Sequence, residues 1–342
     1  MKTSRLVMII VSCSCIVAGI VLLGVSFFMN GGNSWMFSTE KYIANEYTYE
    51  EDFDSIEITD AELRVELLPS TDGKCKVVLN ERERMTHNVS INGKKLSILL
   101  NDQRKFWDYI NFGINTTPTL TLYLPENEYS SFSFKSGVSR ITLPDSFSFG
   151  NVNLEISTGK IAIYSDISGT LAIDGSTVNT VIENASIGSL NSKVSTGETT
   201  LRSVKIAQNA TFKASTGDTE LNSVEVGQDV SFEASTADFE LDNVRCNNLS
   251  INVTTGDISL SSAIASGEIK IKTDTGDVEF ERCDASTLNI ETDTGDIEGT
   301  LLSDKIFYAT SDTGKVKVPR CESGGICQVK CDTGDIIFTI VK

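Results

Sequence analysis

The chain has a single histidine, His87, so histidine-dependent triads and multi-histidine metal sites have no candidates beyond it. His87 itself reads as a surface strand residue. No P-loop, dinucleotide fingerprint or G-x-S-x-G elbow is present. Positive charge is scarce, and no acidic residue precedes Glu40. Charge is missing altogether from Leu6 to Phe28, long enough for an apolar helix to span a bilayer, which takes about 20 residues. Lys2 and Arg5 precede that run, and the positive-inside rule puts them in the cytoplasm and the rest of the chain outside. A cleaved signal peptide is the competing reading, but no A-x-A site follows the run and its apolar core is longer than usual.

Setting Lys2 and Arg5 aside leaves 27 Lys+Arg against 47 Asp+Glu, a formal charge of −20 on the outer part. Nucleic acid and anionic membrane are poor partners for such a surface. Cys13 and Cys15 fall within the anchor, while Cys75, Cys246, Cys283, Cys321, Cys327 and Cys331 are exterior, where oxidation is open to them. Cys283 and Cys321 read as core-filling. Cys321 and Cys327 flank the flexible Ser323-Gly324-Gly325 segment and are a candidate bridge.

The dominant positive signal is a repeat. Thr158, Thr177, Thr196, Thr216, Thr236, Thr255, Thr275, Thr294, Thr313 and Thr333 recur at steps of 19 or 20 residues, each in an S/D-T-G-D/E-like turn. A unit of that size cannot bury its own apolar side and must stack on copies of itself. Around each turn apolar and polar residues alternate, as in Leu249, Ile251, Val253 and then Ile258, Leu260, which is strand periodicity. The spacing predicts an all-β, single-stranded β-solenoid of about 20-residue rungs, two short strands and a Thr-Gly turn in each, preceded by one transmembrane helix. Glycine at the turn implies a positive φ, which Val178 and Ala237 replace in two rungs. A second bend falls at Val204, Val224, Val244, Cys283, Leu302 and Cys321.

Residues 1–33 form the anchor and its Gly31-Gly32-Asn33-Ser34 tether, 34–144 an irregular β region capping or opening the solenoid, and 145–342 the regular repeats. The N-terminal region is expected to cover one end of the sheet, leaving Ile336 to Val341 as the exposed last rung. An insertion carrying Phe106, Trp107, Tyr109 and Phe112 reads as an aromatic plug for the core's end rather than a ligand loop.

Asp-Thr-Gly at Asp274, Asp293, Asp312 and Asp332 matches the aspartic-protease signature, but that chemistry needs two aspartates converging on one proton. Here the copies belong to a ladder whose earlier members are Ser157, Ser195 and Ser215, so no catalytic residue is assigned. After the glycines runs a second column: Glu198, Asp218, Asp238, Asp257, Asp277, Asp296, Lys315 and Asp335. Turn-favouring, solvated aspartates explain it. The alternative is weak Ca²⁺ binding between Asp274, Asp277, Asp293 and Asp296, since carboxylate oxygens are the hard ligands that ion prefers. No other cofactor is expected.

An N-terminal anchor, an irregular strand region ending near Leu122-Tyr123-Leu124-Pro125, and rungs of the form Ile290-x-Thr292-Asp293-Thr294-Gly295-Asp296-Ile297 together resemble the putative-adhesin domain family of bacterial envelope proteins. The likeness runs from Asp52 to Lys342. It implies a wound β-solenoid without catalytic residues to carry over and, for the LiaG-like members, an association with envelope-stress signalling in Gram-positive bacteria. The chain is therefore expected to be no enzyme, but a membrane-anchored extracellular adhesin, scaffold or interaction surface whose partner is an unspecified envelope component or protein. The alternative is an accessory of an envelope-stress or antimicrobial-peptide response, in which the acidic surface attracts cationic peptides. A third reading, hydrolysis of acidic polysaccharides, finds only Lys272 and Lys315 beside the aspartates to neutralise such a substrate.

Overall fold

A computed structural model of the chain describes residues 11–12, 14–22, 25, 41–105 and 116–341. Residues 14–22 are helical, and among the described residues no helix is long and apolar enough to cross a membrane. Much of the expected anchor, the whole tether, and Phe106, Trp107, Tyr109 and Phe112 lie outside the described residues.

The described residues from Tyr42 onward are strand and turn, joined into one 25-stranded sheet wound on itself. The alternation in sequence becomes alternation in burial: Leu249, Ile251 and Val253 point inward, as do Ile258 and Leu260 beyond the corner. Every rung repeats the pattern, so the inner faces stack into one continuous core. The rings of Phe212 and Phe232, partners on adjacent rungs, stack at 4.7 Å, the spacing of neighbouring strands.

The rung has three sides where two were expected. In one turn of the coil Ala210–Thr216 forms the long side, Thr219–Val226 bends to make the other two, and Val230–Thr236 begins the next rung. The second corner is turned by non-glycine residues at positive φ, namely Asn184, Ser203, Ser223, Asn243, Ser262 and Arg282, with φ from 51° to 57°. Each precedes a buried residue of the second bend, such as Val204, Val224 or Cys283.

The ten threonines stack in register, with one exchange of order. Thr294 pairs with Thr333, and Thr333 with Thr313. The last rung in sequence is thus inserted between its two predecessors, and Lys305–Thr313 with Val316–Lys317 forms the outer edge. This corrects the expectation that Ile336 to Val341 ends the solenoid. The inner residues explain the order. Gly325–Thr333 offers Cys327, Val329 and Cys331, all fully buried, whereas Lys305–Thr313 offers Phe307, Ala309 and Ser311, only partly covered. The more apolar rung takes the enclosed place.

At the other end the strands before the repeats lie over the first rungs. Strands β1 (Tyr42–Tyr49), β2 (Ser55–Pro69), β3 (Cys75–Arg82), β4 (Met85–Asn92), β5 (Lys95–Asp102), β6 (Thr119–Leu124) and β7 (Glu128–Leu143) fill this region. Strands β2 and β7 are already rungs, parallel and in register with the repeats. Strands β5 and β6 lie over the two halves of β2, and β4, β3 and β1 continue from them in antiparallel pairing. A parallel solenoid thereby passes into an antiparallel cap.

The described cysteines are all free, Cys321 and Cys327 included, so the suggested bridge is not formed. Cys327 is buried within its strand, while Cys321 lies part-exposed outside the core and does not fill it.

Candidate functional site

The Thr-Gly corner sets the site. Its glycines hold φ between 138° and 158°, and a Cβ on Gly256 would stand 1.8 Å from the carbonyl oxygen of Ala237 on the rung below. Glycine is required there by backbone contact as well as by φ. Val178 and Ala237 avoid positive φ and turn inward, buried. The threonines face solvent along the whole ladder.

Next to the glycines, the aspartates make a chain of hydrogen bonds between rungs. Asp218 Oδ1 accepts the Asp238 backbone N–H at 3.0 Å, Asp238 that of Asp257 at 2.9 Å, Asp257 that of Asp277 at 2.9 Å, and Asp277 that of Asp296 at 2.8 Å. Asp296 then receives Asp335, and Asp335 receives Lys315, following the spatial order of the rungs. One carboxylate oxygen of each thus satisfies a corner amide, while the residues remain largely exposed. Like charges roughly 4.8 Å apart repel by about 1 kcal/mol in bulk water, which those hydrogen bonds offset.

Followed to its origin, this column changes sign. Strand pairing carries it from Arg64 to Arg140, Lys160 and Asn179, whose Oδ1 accepts the Glu198 N–H. It is basic over the first rungs, acidic from Glu198 to Asp335, and basic again at Lys315. The neighbouring column adds Glu220, Glu240, Glu279 and Glu298 to the acidic stretch and ends at Lys317. A shallow groove among Glu198, Asp218, Glu220, Asp238, Glu240 and Asp257 marks the acidic part. A second groove, lined by Arg140, Lys160 and Arg202, marks the basic part.

The long side of the rung is arranged differently. There the two signs are mixed along one column: Lys135–Glu155 at 2.6 Å and Lys213–Glu233 at 2.5 Å pair across adjacent rungs, while Glu155 with Asp174 and Lys193 with Lys213 are like neighbours. Arg64, Arg140 and Lys160 are exposed and form no ion pair among the described residues.

Asp274, Asp277, Asp293 and Asp296 lie exposed at successive corners, and Asp277 and Asp296 each hold a backbone amide. Among the described residues no group of three or more His, Cys, Asp and Glu is disposed to hold a metal ion, so these four are not gathered into a ligand set. The Asp-Thr-Gly copies are related by translation along the ladder and do not converge.

One polar cluster was missed. His87 is not a surface residue: it is 4% exposed, with Nδ1 at 2.6 Å from Glu81 Oε2 and Nε2 at 2.5 Å from Asp60 Oδ2. Glu81 Oε2 also accepts the His87 N–H at 2.8 Å, and Glu81 Oε1 accepts from Asn45 at 2.6 Å. Burial pushes the imidazole down, but its hydrogen bonds to Asp60 and Glu81 prevail and raise it to about 9. The sequence carried a signal for this arrangement. His87 continues the inward register of Met85, Glu81 that of Val77 and Leu79, and Asp60 that of Ile56 and Ile58. The cluster joins the first rung to the cap and is closed from solvent, so it holds structure and presents no site.

The Toastrack DUF4097 family model matches residues 53–261 and again 180–336. The chain belongs to the Toastrack family. That membership agrees with the resemblance read from the repeat, while nothing singles out its LiaG-like members. The Toastrack chain is also similar to solved structures. A putative adhesin from Bacteroides fragilis NCTC 9343 shares 15% identity over 88% of this chain and 100% of its own, with a TM-score of 0.33. A putative adhesin from Parabacteroides merdae ATCC 43184 shares 11% over 77% and 98%, at 0.35. A putative lipid binding protein from Parabacteroides distasonis ATCC 8503 shares 12% over 85% and 98%, at 0.37. Likeness at this level does not extend to function. No curated protein matches the Toastrack chain.

Proposed function

We propose that this chain is a non-enzymatic display rod of the bacterial envelope, held to the membrane by its N-terminal apolar segment and working outside the cell as an adhesin or interaction surface. The observation that carries the reading is the exposed acidic ladder from Glu198 to Asp335, whose carboxylates stay in solvent while bonding the corner amides. A row of carboxylates at a fixed step suits a partner bearing repeated cations, either a basic segment of an envelope protein or a cationic peptide. The same ladder supports the second reading, an accessory of the response to cationic antimicrobial peptides, because it would concentrate such peptides at the membrane.

The test is binding of oligolysine to the full chain in detergent micelles. Association at low ionic strength that is lost at high ionic strength, with no binding of oligoglutamate, supports the reading. Indifference to oligolysine removes it. Surface placement is checked by protease treatment of intact cells, which should degrade the region after residue 41, and protection of that region would contradict it.

A further inference from the structure

We propose that two copies of this chain pair antiparallel through the two-signed column, about a two-fold axis at the rung of Asn179 and Val181. Three observations lead there. Arg64, Arg140 and Lys160 are stacked like charges that form no ion pair among the described residues, whereas Lys135 and Lys213 on the long side each face a carboxylate on the adjacent rung. The acidic members of the same column begin immediately beyond Asn179. Both sets repeat at one rung, so their spacings agree without adjustment.

Reversal about Asn179 sets Lys160 against Glu198 of the second copy, Arg140 against Asp218 and Arg64 against Asp238. Each pair occurs twice, as a self-complementary two-fold contact requires. Parallel pairing would set like against like. The neighbouring column is uncharged from Thr142 through Ala162 and Val181 to Thr200, is flanked by Glu66 on one side and Glu220 and Glu240 on the other, and places Val181 opposite itself. These two columns oppose no like charges within two rungs of the axis, Glu66 meets Glu240 at the third, and the opposite pairs of the first column fix the register of the two rods. This pairing is independent of the function proposed above and leaves the aspartates from Asp257 onward without a charged partner.

The experiment is sedimentation equilibrium of the full chain in detergent micelles, with two charge-reversed variants. The wild type should dimerise at low ionic strength and dissociate as salt rises, the apparent dissociation constant weakening by about tenfold or more. Arg64→Glu, Arg140→Glu and Lys160→Glu together make the column acidic on both sides of the contact, and Glu198→Lys, Asp218→Lys and Asp238→Lys together make it basic on both sides, so each variant alone should be monomeric. Mixed, they should form a heterodimer, because every reversed pair is again opposite in sign. Heterodimer formation also shows that both variants are folded. A dimer that persists in the all-acidic variant, or two variants that ignore one another, overturns the proposal. So does a wild type that stays monomeric and instead binds inorganic polyphosphate through Arg140 and Lys160.

Discussion

The cap and the ladder use the same carboxylates to opposite ends. In the cap, Asp60 and Glu81 are buried beside the imidazole of His87, and none of the three faces solvent. Along the ladder, Asp218, Asp238, Asp257 and Asp277 lie in water, each satisfying a backbone amide with one oxygen. A buried charge is held by its partner and is costly to orphan. An exposed charge adds little to stability and much to the field a partner meets. The cap's ions therefore belong to folding, and the ladder's, in the function proposed above, to recognition.

The sharpest way to break the contrast is His87→Ala, which leaves two buried carboxylates facing each other. It should cost about 3–5 kcal/mol, read as a large drop in thermal midpoint. A change within experimental error would mean that the cluster is not the cap's anchor. Next in size is pH. Because the imidazole rises from its ordinary 6.5 to about 9 on folding, the native state binds that proton more tightly than the unfolded chain. The stabilisation is complete below pH 6.5, declines as pH rises and is gone above about 9, a loss of about 3 kcal/mol. Denaturant midpoints at pH 6 and pH 9.5 check it, and His87→Gln should flatten the difference.

Smaller effects test the ladder's backbone. Gly256→Ala forces a Cβ against the Ala237 carbonyl at positive φ and should cost about 1–3 kcal/mol. Thr180→Val should act in the opposite direction. The Thr180 hydroxyl is the one buried side-chain polar atom without a hydrogen bond among the described residues, and its removal should stabilise by about 1 kcal/mol.

The solenoid could be read before any coordinates because a fixed step of 19 or 20 residues has one economical packing, and Thr158 to Thr294 obey it in order. The exchange at the C-terminal end could not. Thr313 and Thr333 satisfy the same period, and only the inner residues, Phe307 and Ala309 against Cys327 and Val329, decide which rung is enclosed. The sign change in the charged column was hidden for a different reason. Arg64 reaches Arg140 across the whole cap, where no repeat guides an alignment. His87 was legible in principle, since strand alternation placed it inward, but a lone polar residue in that register was given a surface role.

In the proposed function the ladder's charge recognises a partner, while its geometry is held by hydrogen bonds that do not need the charge. Replacing Asp257, Asp277, Asp296 and Asp335 together by asparagine tests it, because asparagine retains the accepting oxygen, as Asn179, Asn209 and Asn248 already do in this chain. The thermal midpoint should be unchanged or slightly raised, with oligolysine affinity at low salt lowered by about tenfold or more. Full binding by the neutralised chain, or a collapse of its fold, would contradict it.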